Sequence, residues 1–341
     1  MRRIPTNLVH AQVLGPFERC LREGGAPVAR LFASSEINLA AVSDDRALIT
    51  MLQAHHFCEA AARYTGEVAL GSIVGEALEL DELGATTHAF SQSATLFDAR
   101  FAIQSAVQAA EPGSQLWIEQ GDSLAWLCYR PESRFFGGTQ SELFDLQCLL
   151  KFVRLAGGDG WTPDRIRVST NSERALAKVP DFSNSDLRRG SGHTAIAFPK
   201  HLLSRPLPNR AGTELSTPDW PQHSDSPLRV DGELGVDAAV GGLLDSLQAS
   251  EPIPSLEAMA ERFGVSSRTL QRALADCQTS YRLLTEKVTF RRAVPLLEDE
   301  RLPVKSIAGV LGYGSSNSFI RAFRRIAGTT PTEYRKSHRL P

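Results

Sequence analysis

One pattern is written twice near the C-terminal end of this 341-residue chain, and it restricts the possible folds more than any other feature. In the first copy Ser255 precedes a run with apolar residues at Leu256, Met259, Ala260 and Phe263. Gly264 follows, then Ser266 ahead of a second run with Leu270 and Leu274. Apolar spacings of three and four mark one buried face of a helix. Ser255 and Ser266 are placed to cap the two helices, and Gly264 to end the first in a left-handed conformation. The second copy starts at Val304, with Ile307, Ala308 and Leu311, then Gly312, then Ser315 ahead of Phe319 and Phe323. Ala308 matches Ala260, Gly312 matches Gly264 and Ser315 matches Ser266. Phe319 and Phe323 stand where the first copy has Leu270 and Leu274. Two helices joined by so short a glycine-containing turn form a helix-turn-helix, whose second helix can lie in a DNA major groove. One such pair is common as plain packing; two in register, joined by a single helix, point to nucleic acid.

Charge supports the same partner. Residues 262–341 hold 15 Lys and Arg against 6 Asp and Glu, whereas residues 1–261 hold 22 against 33, so a basic tail follows an acidic body. The outward face of the first candidate reading helix carries Arg268, Gln271 and Arg272, and that of the second Ser316, Asn317 and Arg321. Arg suits guanine and Gln adenine, both bidentately. Arg324 and Arg325 extend the basic face toward phosphates.

Residues 1–206 read as one α+β domain. His55–Tyr64, Leu96–Ala110 and Glu142–Leu155 have helical spacing. Leu116–Gln120 and Ser123–Tyr129 are short, aromatic and β-prone around Gly121-Asp122, which predicts a hairpin. Ile166–Thr170 and Thr194–Phe198 read as further strands of a small, largely antiparallel sheet. Leu207–Gly232 holds Pro208, Pro218, Pro221 and Pro227 and little apolar periodicity, so 207–232 reads as a linker. Residues 233–341 form an all-α domain, with its helix-turn-helix units at about 255–275 and 304–325.

Other chemistries find little support. No stretch approaches the roughly 20 apolar residues of a membrane span. The basic start at Arg2-Arg3 has no apolar run behind it, so a cytoplasmic chain without a signal peptide is expected. The five cysteines form no C-x-x-C pair, so neither a disulfide framework nor a zinc site is expected, and no cofactor. Adjacent His55 and His56 point in different directions on a helix. Gly157–Gly160 lacks the Lys-Ser/Thr of a phosphate loop, and Gly190–His193 lacks the setting of a nucleophile elbow. Trp117, Trp126, Tyr129 and Phe135 suit a core or an apolar pocket between sheet and helices. Arg188-Arg189 reads as a solvated pair that an anion could use.

The string Ile307-Ala308, Leu311-Gly312-Tyr313, Ser318 to Arg325 and Gly328 to Arg335 resembles the signature of the AraC/XylS family of transcription regulators. The resemblance spans about 233–341. It implies about seven helices and places base contacts on Arg268, Gln271, Arg272, Ser316, Asn317 and Arg321. Phosphate contacts would fall on Ser266, Ser267, Ser315, Arg324 and Arg325. The body is similar, through Gly66–Gly71, Leu83-Gly84 and the helix start at Ser93–Phe101, to the effector domain of VirS- or OruR-like members, often called arabinose-binding. The resemblance implies a non-enzymatic DNA-binding regulator, more often an activator, controlled by a small-molecule effector in the first domain. Double-stranded DNA, RNA polymerase and a second copy of the chain are the partners implied, and nucleoid association follows. Two rivals are a body that only oligomerises and an enzyme fused to a DNA-binding tail. Two departures stand out. Gln278 occupies a position where the family has Gly, at a cost of roughly 1 kcal/mol if left-handed. Pro295 lies inside the joining helix, where a kink is expected.

Overall fold

The computed structural model describes residues 8–44, 46–78, 93–111, 114–131, 138–169, 173–207, 235–247, 251–299 and 301–337. The chain divides into two compact units, residues 7–233 and 234–341. The expected linker, apart from Leu207, lies outside the described residues, as do Leu83, Gly84 and Phe135. Among the described residues no helix is long and apolar enough to cross a membrane.

Among the described residues the first unit has two apolar clusters. In one, strands β1 (Leu8–His10) and β2 (Leu48–Thr50) pair antiparallel beside helices α1 (Gly15–Glu23), α2 (Val28–Ser34), α3 (Met51–Thr65) and α4 (Leu70–Ala77). Thr50 and Gln53 cap α3 reciprocally, each side chain accepting the other's backbone N–H at 3.2 and 3.1 Å. His55 is half-buried and His56 exposed, so the two do diverge. The second cluster packs helices α5 (Leu96–Ala110) and α6 (Thr139–Gly157) on a five-stranded sheet. Its strands are β3 (Gln115–Gln120), β4 (Leu124–Arg130), β5 (Arg165–Val168), β6 (Asp186–Arg189) and β7 (Thr194–Pro199), with a short helix α7 (Glu173–Leu176) between β5 and β6. The order is β3-β4-β7-β5-β6, antiparallel except for the parallel pair β5–β6. The predicted hairpin, helices and strands of this half are present; β1, β2, β6 and α1, α2, α4 and α7 had no counterpart in the sequence reading.

Glycine lets α4 approach α6 closely. A Cβ on Gly71 would sit 1.8 Å from the Gln140 carbonyl oxygen, and one on Gly75 2.6 Å from the Gln147 Cβ. The seam is polar and satisfied: Gly71 N–H donates to Gln140 Oε1 at 2.9 Å and Gln147 Nε2 to Ser72 Oγ at 2.8 Å. Glu142, also on α6, accepts from Ser169 N at 2.5 Å and Thr194 Oγ1 at 2.9 Å, tying the helix to two strands.

Among the described residues the second unit holds helices and no strand: α8 (Val236–Ser246), α9 (Leu256–Arg262), α10 (Ser267–Asp276), α11 (Tyr281–Glu298), α12 (Val304–Val310), α13 (Ser316–Ala327) and α14 (Pro331–Ser337). Met259, Ala260, Phe263, Leu270 and Leu274 are buried in its first half. In the second half Ala293, Leu297, Ile307, Ala308, Phe319 and Phe323 form a cluster, with Phe290, Phe323 and Tyr334 in mutual ring contact at 5.0–5.9 Å. Burying Phe319 and Phe323 is worth roughly 1.5–3 kcal/mol each. Helix α11 runs on through Pro295, whose side is exposed, so the missing donor faces water rather than either core.

Candidate nucleic-acid interface

The two helix-turn-helix units repeat each other bond for bond. Gly264 N–H donates to Glu261 O at 2.8 Å and Val265 N–H to Ala260 O at 3.0 Å; Gly312 donates to Gly309 O at 3.0 Å and Tyr313 to Ala308 O at 2.9 Å. Gly264 and Gly312 have φ of 63° and 79°, the left-handed region that a side chain disfavours. Ser266 Oγ then accepts from Thr269 N at 3.2 Å and Ser315 Oγ from Ser318 N at 3.2 Å, capping α10 and α13. The turns therefore set α10 and α13 by one local geometry, with one extra residue, Gly314, in the second.

Arg268, Gln271 and Arg272 on α10, and Asn317 and Arg321 on α13, are exposed; Ser316 is half-buried at the start of α13. Ser266 and Ser315 are exposed, Ser267 half-buried, and Arg324 exposed. Arg325 differs. Its guanidinium turns back to Glu286 on α11, a carboxylate only 8% exposed that also accepts from Arg282 Nε at 3.0 Å. Sequence reading missed Glu286; the i, i+4 pair Arg282–Glu286 is visible in the sequence, but the partner 39 residues away is not. Two further arginines brace the frame. Arg292 donates to the carbonyls of Leu247 and Glu251 at 2.9 and 2.8 Å, and Arg335 to those of Leu297 and Leu302 at 2.9 and 2.8 Å. Thr330 and Glu333 cap α14, and hydrogen bonds from Thr330 and Thr329 hold the Glu333 carboxyl down at about 2. Gln278 is left-handed, φ 56°, as the family comparison in the sequence implied for a position usually held by Gly.

In the first unit the sheet has two unlike faces. Leu116, Leu127, Tyr129, Ile166, Val168, Ile196 and Phe198 face α5 and α6. Strand alternation puts Trp117, Glu119, Trp126, Cys128, Ala195 and Arg167 on the opposite face. This corrects the sequence expectation that the tryptophans line a pocket between sheet and helices: both tryptophans point away from the helices, whereas Tyr129 joins the core, and Phe135 lies outside the described residues. On the outer face Arg167 donates to Glu119 Oε2 at 2.7 Å and to His193 Nε2 at 3.2 Å, and stacks over Trp126 at 4.0 Å. Trp117 Nε1 donates to Glu119 Oε1 at 3.3 Å and its ring lies 5.1 Å from His193. The bond from Arg167 holds the Glu119 carboxyl below its usual range, while burial and Arg167 lower His193. Burial pushes the Cys128 thiol up to about 12.

Known proteins share both units. Residues 25–207 match the family profile described as the arabinose-binding domain of AraC transcription regulators, N-terminal, and residues 259–337 match a helix-turn-helix domain profile. The HTH-type transcriptional regulator VqsM of Pseudomonas aeruginosa is 34% identical over 166 residues, 46% of this chain and 48% of that one. The ornithine utilization regulator of the same organism is 32% identical over 145 residues, 42% of this chain and 41% of its own. The chain thus spans about half the length of the curated relatives it matches. The crystal structure of the transcriptional regulator CdpR from Pseudomonas aeruginosa aligns over 90% of this chain and 96% of that one, at 23% identity and a TM-score of 0.35. The chain belongs to the AraC family of transcription regulators.

Proposed function

We propose that this chain is a sequence-specific DNA-binding regulator of transcription, without enzymatic activity, whose first unit senses a small-molecule effector. The observation that carries the reading is the repeated turn geometry, which leaves polar side chains exposed at the start of two reading helices. Arg268, Gln271 and Arg272 read bases in one half-site, and Ser316, Asn317 and Arg321 in the other. Ser266, Ser267, Ser315 and Arg324 meet phosphates. Arg325 is assigned instead to holding α13 against α11 through Glu286. The protein works in the cytoplasm on the nucleoid, as an activator that contacts RNA polymerase, and can act as a homodimer. The 207–232 segment serves as linker between a sensing domain, 1–206, and the DNA-binding domain, 233–341.

Selection of bound sequences from random duplexes by the full chain, followed by affinity measurement across salt concentrations, tests the reading. Enrichment of a two-part site and a steep loss of affinity with salt are expected, because each Lys or Arg contact to phosphate releases counterions. No enriched site, or an affinity indifferent to salt, would overturn it.

A further inference from the structure

The outer face of the sheet gathers three donors of different chemistry. A carboxylate oxygen of Glu119 on β3, the sulfur of Cys128 on β4 and a ring nitrogen of His193, just ahead of β7, all lie within 4.8 Å of one another. We propose that Glu119, Cys128 and His193 form a binding site for a borderline-soft divalent transition-metal cation, with Zn(II) the ion their chemistry fits.

Donor type argues for that class. A set of one sulfur, one imidazole and one carboxylate selects Zn(II) or Co(II) over Mg(II) or Ca(II), which take oxygen alone. Zinc takes sulfur at about 2.3 Å and nitrogen at about 2.0–2.1 Å, so tetrahedral donors stand roughly 3.5 Å apart and this cluster has to close by about 1 Å. Three protein donors leave a fourth position for water or another small ligand. Charge balances too: on binding, the Cys128 S–H proton passes to solvent, and thiolate and carboxylate together neutralise a dication.

The surroundings fit. The donors already hold a cation, since the Arg167 guanidinium bridges Glu119 and His193. A metal ion takes over those two partners, and Arg167, still charged, moves off them. Trp117 orients the Glu119 carboxylate through its Nε1, as outer-shell donors do at metal sites. The Cys128 side is fully buried, which keeps a metal-bound sulfur from solvent. Because the three positions sit on neighbouring strands of one sheet, the ion would cross-link β3, β4 and the approach to β7. The site deepens the effector reading above, on which only its regulatory consequence rests.

Titration of the chelator-stripped full chain with Co(II) tests the site. Tetrahedral ligand-field bands and a near-ultraviolet thiolate-to-cobalt charge-transfer band are expected, with displacement of both by Zn(II). Cys128→Ser abolishes the charge-transfer band, although Cys20, Cys58, Cys148 and Cys277 remain, and Glu119→Gln weakens binding at least ten-fold with the circular dichroism of the chain unchanged. Arg167→Gln, which removes the competing cation, tightens binding several-fold. No charge-transfer band in the parent chain, or a band that survives Cys128→Ser, would overturn the site. If the band behaves as expected and Zn(II) leaves DNA affinity unchanged, the site stands and the effector role of this face falls.

Discussion

Gln278 gives the sharpest quantitative test of the second unit. It ends α10 with φ 56°, its N–H bonded to Ala275 O at 2.9 Å, while Thr279 N–H reaches back to Leu274 O at 3.0 Å. The side chain is exposed, so substitution there removes no core contact. A left-handed residue with a Cβ costs roughly 1–2 kcal/mol. Gly removes that cost but adds unfolded-state entropy worth about 0.4–1 kcal/mol. Gln278→Gly is therefore expected to stabilise by about 1 kcal/mol. Gln278→Asn should gain part of this, because Asn tolerates the left-handed region, and Gln278→Ala nothing. Equilibrium urea denaturation of the full chain, followed on the helical transition of the second unit, measures the series. In a thermal melt 1 kcal/mol corresponds to about 4 °C for a unit of this size. An order other than Gly above Asn above Ala, or Ala as stabilising as Gly, would refute the reasoning, since the backbone angle would then not be what limits stability.

Arg268→Ala and Arg321→Ala should each lose roughly 1–3 kcal/mol at one or two base pairs, whereas Arg324→Ala should weaken all duplexes alike; competition assays on cognate and scrambled DNA separate the two. Arg325→Ala should reduce helical stability as well as DNA affinity, because it strips the buried Glu286 of a partner, and Glu286→Gln should mimic it in two-part sites while sparing half-sites. Gly71→Ala should destabilise the first unit by about 3 kcal/mol or more, read by thermal unfolding, because its Cβ would meet backbone rather than a yielding side chain. Asp145 has its carboxyl raised well above the usual range by burial, then by Glu111 and Glu142. The fold thus favours its protonated form, and its stability contribution is lost as pH rises. Asp145→Asn should stabilise the chain near neutral pH, with the gain vanishing toward pH values below about 4.

What could be read in advance followed how local the physics is. Caps, left-handed turns and buried helical faces act within a few residues, so Ser266, Gly264 and Gly312 were visible in the string, whereas Gln278 stood out only through the family resemblance. Fold class followed for the same reason. Partners brought together by the fold were not. Arg324 and Arg325 look alike in sequence, yet one residue turns the side chain about 100° around a helix and sends the second to Glu286. The tryptophans misled because β4 is largely apolar on both sides; the pairing of Trp117 with Cys128 and of Glu119 with Trp126 puts all four on one face, and the helices pack on the other. Glu119, Cys128 and His193 are spread over strands and carry no spacing motif. The pair β1–β2 escaped notice because three-residue strands leave no alternation to detect.

Helix α11 belongs to both halves of the second unit, and this makes it a ruler. Its 18 residues span about 27 Å at 1.5 Å per residue. A single inserted residue would lengthen it by only about 1.5 Å but rotate everything beyond by about 100°, and α13 with it. On the proposed function, exposed side chains on α10 and α13 can thus drift one at a time and retune bases. The spacing of the two half-sites that this function proposes cannot drift in the same way. A lineage of such regulators is free to change its vocabulary while its metre stays fixed.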